Sequence, residues 1–410
     1  MWGTLGTLFP EVNHVYEVDA RPRFHLRRAA AQPAAQDRRY LDDSTDASSH
    51  VYSQWRPFIA PVLVNRRLTS PDNVQDVRHI ELDIRAGGEL LRFEPGDVCA
   101  IAPKNVPENI ARFLALMNWE AMADDCFEAV PTDELDPLAS GPWSRPQTLR
   151  SLLENHLDVF GIPRMYFFEV LSRFAMDPMQ REKLLELSQS SGIEDYYNYC
   201  QRPRRTAFEV LQDFDSARTF SIDSLFDLFP LIRPRLFSIA SSYRVHPHRL
   251  HLTVAVVLFR TIIKEPRRGI CSQWLASLSP SSGVPIWIVR GSFSLPRAPA
   301  LPMVFIGTGT GIAPLRAMLQ ERIHEQDTNQ NLLIFGNRSR ALDFLYSDEW
   351  KSYEDSGKLR MLTAFSRDQP HKIYVQDRLK SVGDTIWRWI HVGGVIFLCG
   401  YAAKYAVFPY

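Results

Sequence analysis

From Met303 onward the chain repeats one unit, in which a short, largely apolar run is followed by a polar turn and then an amphipathic stretch. The apolar runs are Met303 to Ile306, Leu332 to Phe335, Leu359 to Phe365 and Val395 to Leu398, and the stretches between them predict helices starting near Ala313, Ser347 and Lys372. Strands that are apolar on both faces and separated by helices predict a parallel sheet covered on both sides, with its ligand edge at the strand C-termini. At that edge, directly after the first run, stands Gly307-Thr308-Gly309-Thr310-Gly311-Ile312-Ala313-Pro314. Glycines allow backbone amides to approach an anion, Pro314 suits a first helical turn, and the helix N-terminus adds partial positive charge. No Gly-Lys-Ser/Thr follows, which excludes a P-loop, and the spacing is not that of the Gly-x-Gly-x-x-Gly fingerprint. Taken alone, the segment also reads as a plain βα turn.

The residues after the third run narrow this reading. Ser366, Arg367, Lys372 and Tyr374 sit about where the adenosine ribose of a dinucleotide would lie, and a guanidinium, an ammonium and two hydroxyls together suit a dianionic 2′-phosphate. Singly, each also reads as a solvated surface residue.

Upstream the period is two. Val77 to Ile84 alternates strictly, Leu91 to Phe93 and Asp97 to Ala102 follow across Pro95-Gly96, and Leu236 to Ala240, Leu250 to Phe259 and Ile286 to Val289 carry further strand signals. Helical patterns at 105–118, 148–160, 164–175, 178–190 and 206–214 interrupt them. The expected architecture is therefore a β-barrel domain at 56–300 with an inserted all-α block at about 105–215, followed by an α/β parallel-sheet domain at 301–410. Residues 1–55 read as a flexible linker, with Arg21, Arg23, Arg27, Arg28, Arg38 and Arg39 around a small-residue stretch. Those arginines also suit a mitochondrial presequence, but Glu11, Glu17 and Asp19 come early, and such peptides are poor in acids.

A second constellation lies on the barrel strands: Arg233-Pro234-Arg235-Leu236-Phe237-Ser238-Ile239-Ala240-Ser241-Ser242, then Gly269-Ile270-Cys271-Ser272-Gln273-Trp274-Leu275. Arg235 can neutralise a pyrophosphate, Phe237 can stack on a flat ring, and Ser238 can reach that ring's polar edge. The turn from Gly269 to Ser272 opens a helix and offers amides to the same pyrophosphate. As alternatives, Phe237 and Ile239 are core residues and Cys271 is a small buried hydrophobe.

Charge and cysteine usage exclude other classes. Lysine plus arginine equals aspartate plus glutamate at 47 each, so no global field draws the chain to nucleic acid or an anionic membrane. Cys99, Cys126, Cys200, Cys271 and Cys399 contain no Cys-x-x-Cys pair, which argues against a zinc site or a disulfide framework and for a reducing, cytoplasmic setting. No apolar run reaches the ~18 residues of a membrane span.

Together and in this order, the motifs resemble the ferredoxin–NADP reductase-like module of the diflavin reductases, the family of cytochrome P450 reductase. Arg235-Leu236-Phe237-Ser238 matches its Arg-x-Tyr/Phe-Ser flavin motif, Gly269 to Ser272 its second FAD turn, and Gly307 to Pro314 its NADPH turn, within which Gly309, Thr310 and Gly311 would meet phosphate. Ser366-Arg367 with Lys372-x-Tyr374 matches its NADP-selective set, and Ser238 and Cys399 match catalytic positions near the nicotinamide. Tyr199 to Thr206, Arg233 to Ser242 and Cys271 to Leu278 are most similar to the branch of NADPH-dependent diflavin oxidoreductases that serves cytosolic iron–sulfur protein assembly.

The resemblance implies FAD and NADPH as cofactors, FMN only on a flavodoxin-like domain that residues 1–76 lack, and an anamorsin-type iron–sulfur protein as partner. It leaves mitochondrial association open. It also implies a C-terminal continuation that Tyr401 and Tyr405 to Tyr410 do not match, so a C-terminally incomplete α/β domain is expected. Reductases serving cytochrome P450, methionine synthase or sulfite reductase, and a docking protein without turnover, are the alternative functions.

Overall fold

The computed structural model describes residues 21–29, 52–136, 138–139, 141–263, 265–296, 300–325 and 330–400. Alternation in the Val77–Asp83 strand explains how the molecule is layered. Ile80 and Leu82 face the core of the barrel, while Val77, on the other face, packs into the core of the parallel-sheet domain. One strand thus serves two cores, as period two allows.

The barrel runs Arg235–Ser238, Val98–Ile101, Gly283–Val289, Phe58–Arg67, Val77–Asp83 and Arg249–Ala255, each strand antiparallel to the next. Its two ends meet in an Ile239–Leu252 bridge, where the Ala240 N–H donates to the His251 carbonyl at 2.8 Å. The strand expected at Leu91 to Phe93 is absent. Arg85–Leu91 forms 3₁₀ turns instead, and Leu91 and Phe93 are apolar because both fill the barrel core.

Helices Pro107–Met117, Leu149–Asn155, Met165–Ser172, Pro178–Ser188 and Ala207–Asp213 fall inside the predicted spans. The insert also contains a three-stranded sheet, in which Cys126–Pro131 lies between Phe24–Arg28 and Gln147–Thr148. Phe24–Arg28 falls in the stretch read as linker, and for these residues that reading is corrected. Phe24 is fully buried with its ring 4.4 Å from that of Phe226, and the Leu26 N–H donates to Asp223 at 2.7 Å. Residues 1–20, 30–51 and 401–410 lie outside the described residues, and with them the readings of the presequence and of the C-terminal tyrosines.

The second sheet is parallel throughout, in the order Arg360–Phe365, Asn331–Asn337, Met303–Thr308, Val395–Cys399. Its two central runs bury both faces. Met303, Phe305, Leu333 and Phe335 pack with the Ile312–Glu325 helix, and Val304, Ile306, Leu332 and Ile334 pack with Val382 and Ile386. The helix expected from Lys372 begins at Val375, where Asp377 accepts from the Tyr374 N–H at 2.9 Å. A helix over Gly383–His391 was not expected. Among the described residues no helix is long and apolar enough to cross a membrane.

Barrel and sheet meet across a buried polar network. Arg316 donates through Nη1 to the Ala240 carbonyl at 2.6 Å and to His251 Nδ1 at 3.2 Å, and through Nε to Glu349 at 2.7 Å. Because Nδ1 accepts, the proton of neutral His251 sits on Nε2, 3.7 Å from Glu81 Oε2. His79 bonds Glu81 at 3.1 Å and Tyr346 Oη at 3.1 Å. The atoms of His79, Glu81 and His251 lie close enough to hold a metal ion. Arg316 and Arg249 stand against them, however, and the orientation of His251 is that of a hydrogen-bond junction.

Burial, with the Arg316 charge second, pulls His79 from its ordinary 6.5 down to about 4, and the same two causes lower His251. Between those pH values the unfolded chain binds more protons than the folded one, so this stabilisation is present above pH 6.5 and is lost as pH falls toward 4. Urea unfolding midpoints are expected to drop across that window. His79→Gln should flatten the decline, and an unchanged slope in that variant would assign the pH dependence elsewhere.

Candidate flavin and nucleotide sites

A cleft of about 710 Å³ opens between the helical insert and the barrel. The Gly269 turn forms part of its wall. Gly269 caps the Ile270–Ser277 helix, whose first-turn amides on Ile270, Cys271 and Ser272 have no intrahelical acceptor. The Ser272 hydroxyl is already engaged, accepting from the Val257 N–H at 3.0 Å and approaching the Gly269 carbonyl at 3.3 Å. Cys271 is buried in the barrel core, and burial pushes its thiol up to about 12. These two side chains therefore fix the turn, and its backbone is what remains for a ligand.

On the Arg235–Ser238 strand, Leu236 is 63% exposed although it sits in the middle of a paired strand, and Ser238 is also exposed. An open leucine and hydroxyl on one face of a barrel strand leave room for a flat apolar molecule with a polar edge. Phe237 is half-buried against the barrel core, so the core alternative holds for part of its ring. Arg235 is exposed and donates to the Arg233 carbonyl at 2.7 Å. Ser241 and Ser242 lie away from the cleft, in the barrel–sheet contact. Ser241 Oγ accepts from the His251 N–H, and the Ser242 hydroxyl donates to Glu321.

Sequence reasoning did not single out Arg204, Phe259 and Arg268, which also line the cleft. Among the described residues the side chains of Arg204 and Arg268 form no ion pair or hydrogen bond. The available signal was cationic residues flanking a glycine turn and the turn that opens the Ala207–Asp213 helix.

At the edge of the parallel sheet the two glycines do different work. Gly309 has φ +53° and open space where a Cβ would point, so no neighbouring atom covers it on that side. A Cβ on Gly311 would stand 2.5 Å from the Cys399 carbonyl oxygen, so this glycine is needed for close packing against the neighbouring strand. Gly309→Ala is expected to lose about 1 kcal/mol through its left-handed backbone alone. Gly311→Ala should lose more, about 1–3 kcal/mol, because backbone must move. Thermal unfolding of both variants checks the order, and a reversed order would refute the division of roles.

Burial pushes the Cys399 thiol up to about 11, so it stays protonated at neutral pH. Ser366 and Arg367 leave their strand with N–H groups donating to the carbonyls of Asn337 and Arg338, at 3.0 and 2.8 Å. Arg367 and Lys372 are exposed and, among the described residues, form no ion pair. Arg338 is exposed beside them, and Arg340 lies over the Phe365 ring at 4.9 Å. Both escaped the sequence reading because they follow the second strand rather than the third.

The sequence profile of the FAD binding domain family matches residues 51–274, more than half the chain. The chain belongs to the FAD binding domain family. The profile of the oxidoreductase NAD-binding domain matches residues 305–404, so the parallel sheet is the NAD(P)-binding unit of a ferredoxin–NADP reductase-like fold. The chain is 42% identical over 359 residues to the NADPH-dependent diflavin oxidoreductase 1 of Bos taurus, covering 86% of this chain and 59% of that protein. It is 42% identical over 353 residues to the one of Danio rerio, covering 85% and 58%, and 40% identical over 401 residues to the one of Mus musculus, covering 97% and 66%. The chain thus spans about 60% of the length of these relatives.

The FAD binding domain match takes in both the cleft and the Arg235–Ser238 strand, and the residues present suit the cofactor. Free guanidinium groups and helix-start amides meet in the cleft, and the open face of Leu236 and Ser238 lies on the strand.

Proposed function

We propose that this chain is an NADPH-dependent flavin reductase module, passing hydride from NADPH to FAD and then electrons, through an FMN-bearing flavodoxin-like domain, to an anamorsin-type iron–sulfur protein of cytosolic iron–sulfur assembly. The observation that carries the reading is the pair of unpaired cations, Arg367 and Lys372, on the loop after the Arg360–Phe365 strand, at the same edge of the sheet as the open side of Gly309 and two strands along from it. About 40% identity to proteins named NADPH-dependent diflavin oxidoreductase 1 supports the class. Five free cysteines, three of them buried, fit a reducing cytoplasm.

In this reading Arg235, Arg204, Arg268 and the amides of Ile270 to Ser272 hold the FAD pyrophosphate. Leu236 and Phe237 border the ring system, and Ser238 reaches its polar edge. Gly309, Thr310 and Gly311 hold the NADPH pyrophosphate, and Ser366, Arg367, Lys372 and Tyr374 hold the 2′-phosphate. When bound, FAD supplies a ring that accepts two electrons and releases them singly. The chain's own part is orientation. Ser238, on a barrel strand, and Cys399, next to Gly311, would flank the meeting point of the two rings, the neutral thiol as a weak dipole rather than a nucleophile.

The test begins with the purified chain. Heating should release FAD and no FMN, and anaerobic NADPH should bleach the flavin and support ferricyanide reduction. Release of FMN, or a flavin that NADPH leaves unchanged, sinks the proposal.

A further inference from the structure

The cleft has one wall from the helical insert and one from the barrel, and a buried carboxylate ties them together. Glu209 accepts from both terminal nitrogens of Arg267, at 2.9 and 2.8 Å, and from the backbone N–H and hydroxyl of Thr206, at 2.8 and 3.0 Å. Thr206 caps the Ala207–Asp213 helix just after Arg204, whose backbone is held at φ +56°. Arg267 comes just before Arg268 and Gly269, the start of the turn that presents the first-turn amides.

Both partners are buried, Glu209 at 9% and Arg267 at 8% exposure, and Arg267 Nε has no acceptor. Burial alone would raise the Glu209 carboxyl, but the bonds from Arg267 and Thr206 outweigh it and hold the group below its usual range, hence ionised. A buried pair of this kind gives little stability over apolar side chains of similar volume, so its presence asks for another role. Its position supplies one: the pair bridges the segment carrying Arg204 and the segment carrying the Gly269 turn. The Arg112–Glu265 pair, at 3.1 Å, also lines this cleft, but both partners are exposed and it fixes little.

We propose that the Glu209–Arg267 pair is a positioning device that sets the distance between Arg204 and the amides of Ile270, Cys271 and Ser272, and with it the affinity for the FAD pyrophosphate. The inference rests on the flavin reading given above. Because Glu209 takes both terminal nitrogens of Arg267, that arginine is spent on the clamp, and Arg204 and Arg268 are left for phosphate.

Glu209→Gln leaves a lone buried charge and can fail to fold, so the informative variant is the double substitution Glu209→Leu with Arg267→Met, which removes both charges. The 410-residue chain is stripped of flavin and titrated with FAD by fluorescence quenching, and with 2′,5′-ADP as a probe of the distant nucleotide site. The expected result is an apo-protein that melts near the wild type, binds 2′,5′-ADP equally well, and binds FAD at least roughly tenfold more weakly. Arg267→Lys, which keeps the charge but not the two-point grip, should fall between. Wild-type FAD affinity in the double variant overturns the proposal. So does a parallel loss of stability and of both ligands, which would make the pair merely structural. If the wild-type chain itself takes up no FAD, the flavin reading falls and the clamp with it. That outcome is separate from the others because it needs no variant.

Discussion

Arg316→Ala is expected to lower stability by about 3–5 kcal/mol, the largest effect of any single substitution considered. The guanidinium serves three acceptors at once, the Ala240 carbonyl, His251 Nδ1 and Glu349, and lies over the Tyr346 ring at 4.5 Å. Ala240 and His251 belong to the barrel side and Glu349 to the sheet side, so this one side chain joins the two units where they touch. Its removal leaves a buried carbonyl and a partly buried carboxylate without their donor. Gln320 still reaches Glu349 at 2.8 Å and softens the loss on that side. Urea unfolding gives the number. In the folded fraction the reduction of flavin by NADPH should slow more than either cofactor's affinity falls, because the two sites sit on units that Arg316 holds in register. Arg316→Lys should recover only part of this, since an ammonium cannot copy a planar fork aimed at separate acceptors. A loss below about 1 kcal/mol for the alanine variant would show that the neighbouring contacts, and not Arg316, hold the barrel to the sheet.

Legibility in the sequence followed the range of the physics. The parallel sheet was readable because its two central strands are buried on both faces, so Met303 to Ile306 and Leu332 to Phe335 are continuous apolar runs. The helices of the insert were readable where apolar residues recur at helical spacing, as Ile110, Phe113, Leu114 and Met117 do. The small sheet in the insert was not. Phe24–Arg28 and Cys126–Pro131 are short and pair across a long sequence separation that no local pattern announces. Leu91 and Phe93 misled in the opposite direction, since an apolar pair that plugs a barrel looks like a strand when only its composition is seen.

At the sites, glycines and cations were visible, but their division of labour was not. Nothing in the order Gly-Thr-Gly-Thr-Gly tells that Gly309 faces open space while Gly311 faces the Cys399 carbonyl, because that contact comes from a strand far along the chain. The turn from Gly269 to Ser272 was read as a source of amides, and tertiary packing turns the side chains of Ser272 and Cys271 to the Val257 N–H and the core, which the order of residues does not tell. Arg316 carried no motif at all. Its role exists only once the barrel and sheet are in contact.

In the proposed function the coenzyme preference turns on Arg367. Its strand delivers it to the sheet edge with the backbone fixed by the Arg338 carbonyl at 2.8 Å, while the guanidinium, exposed and unpaired among the described residues, is free to meet a dianion. A charge-assisted contact of this type contributes about 1.5–3 kcal/mol, or roughly 10- to 150-fold in affinity. Arg367→Ala should therefore weaken NADPH binding by about that factor and leave NADH nearly unchanged, because NADH has no 2′-phosphate for the guanidinium to meet. Lys372, on the same loop, and Arg338, on the loop after the neighbouring strand, limit the loss by keeping positive charge at the edge, so Arg367→Ala with Lys372→Ala should lose more than either alone. Raising the salt concentration should shrink the wild-type preference as well, since exposed charges are screened within about 10 Å at 0.1 M. The measurement is a pair of titrations, NADPH and NADH, against the flavin-loaded protein. Equal losses for both coenzymes would move Arg367 from the 2′-phosphate to the pyrophosphate they share, and the selectivity would then have to come from Ser366, Lys372 and Tyr374.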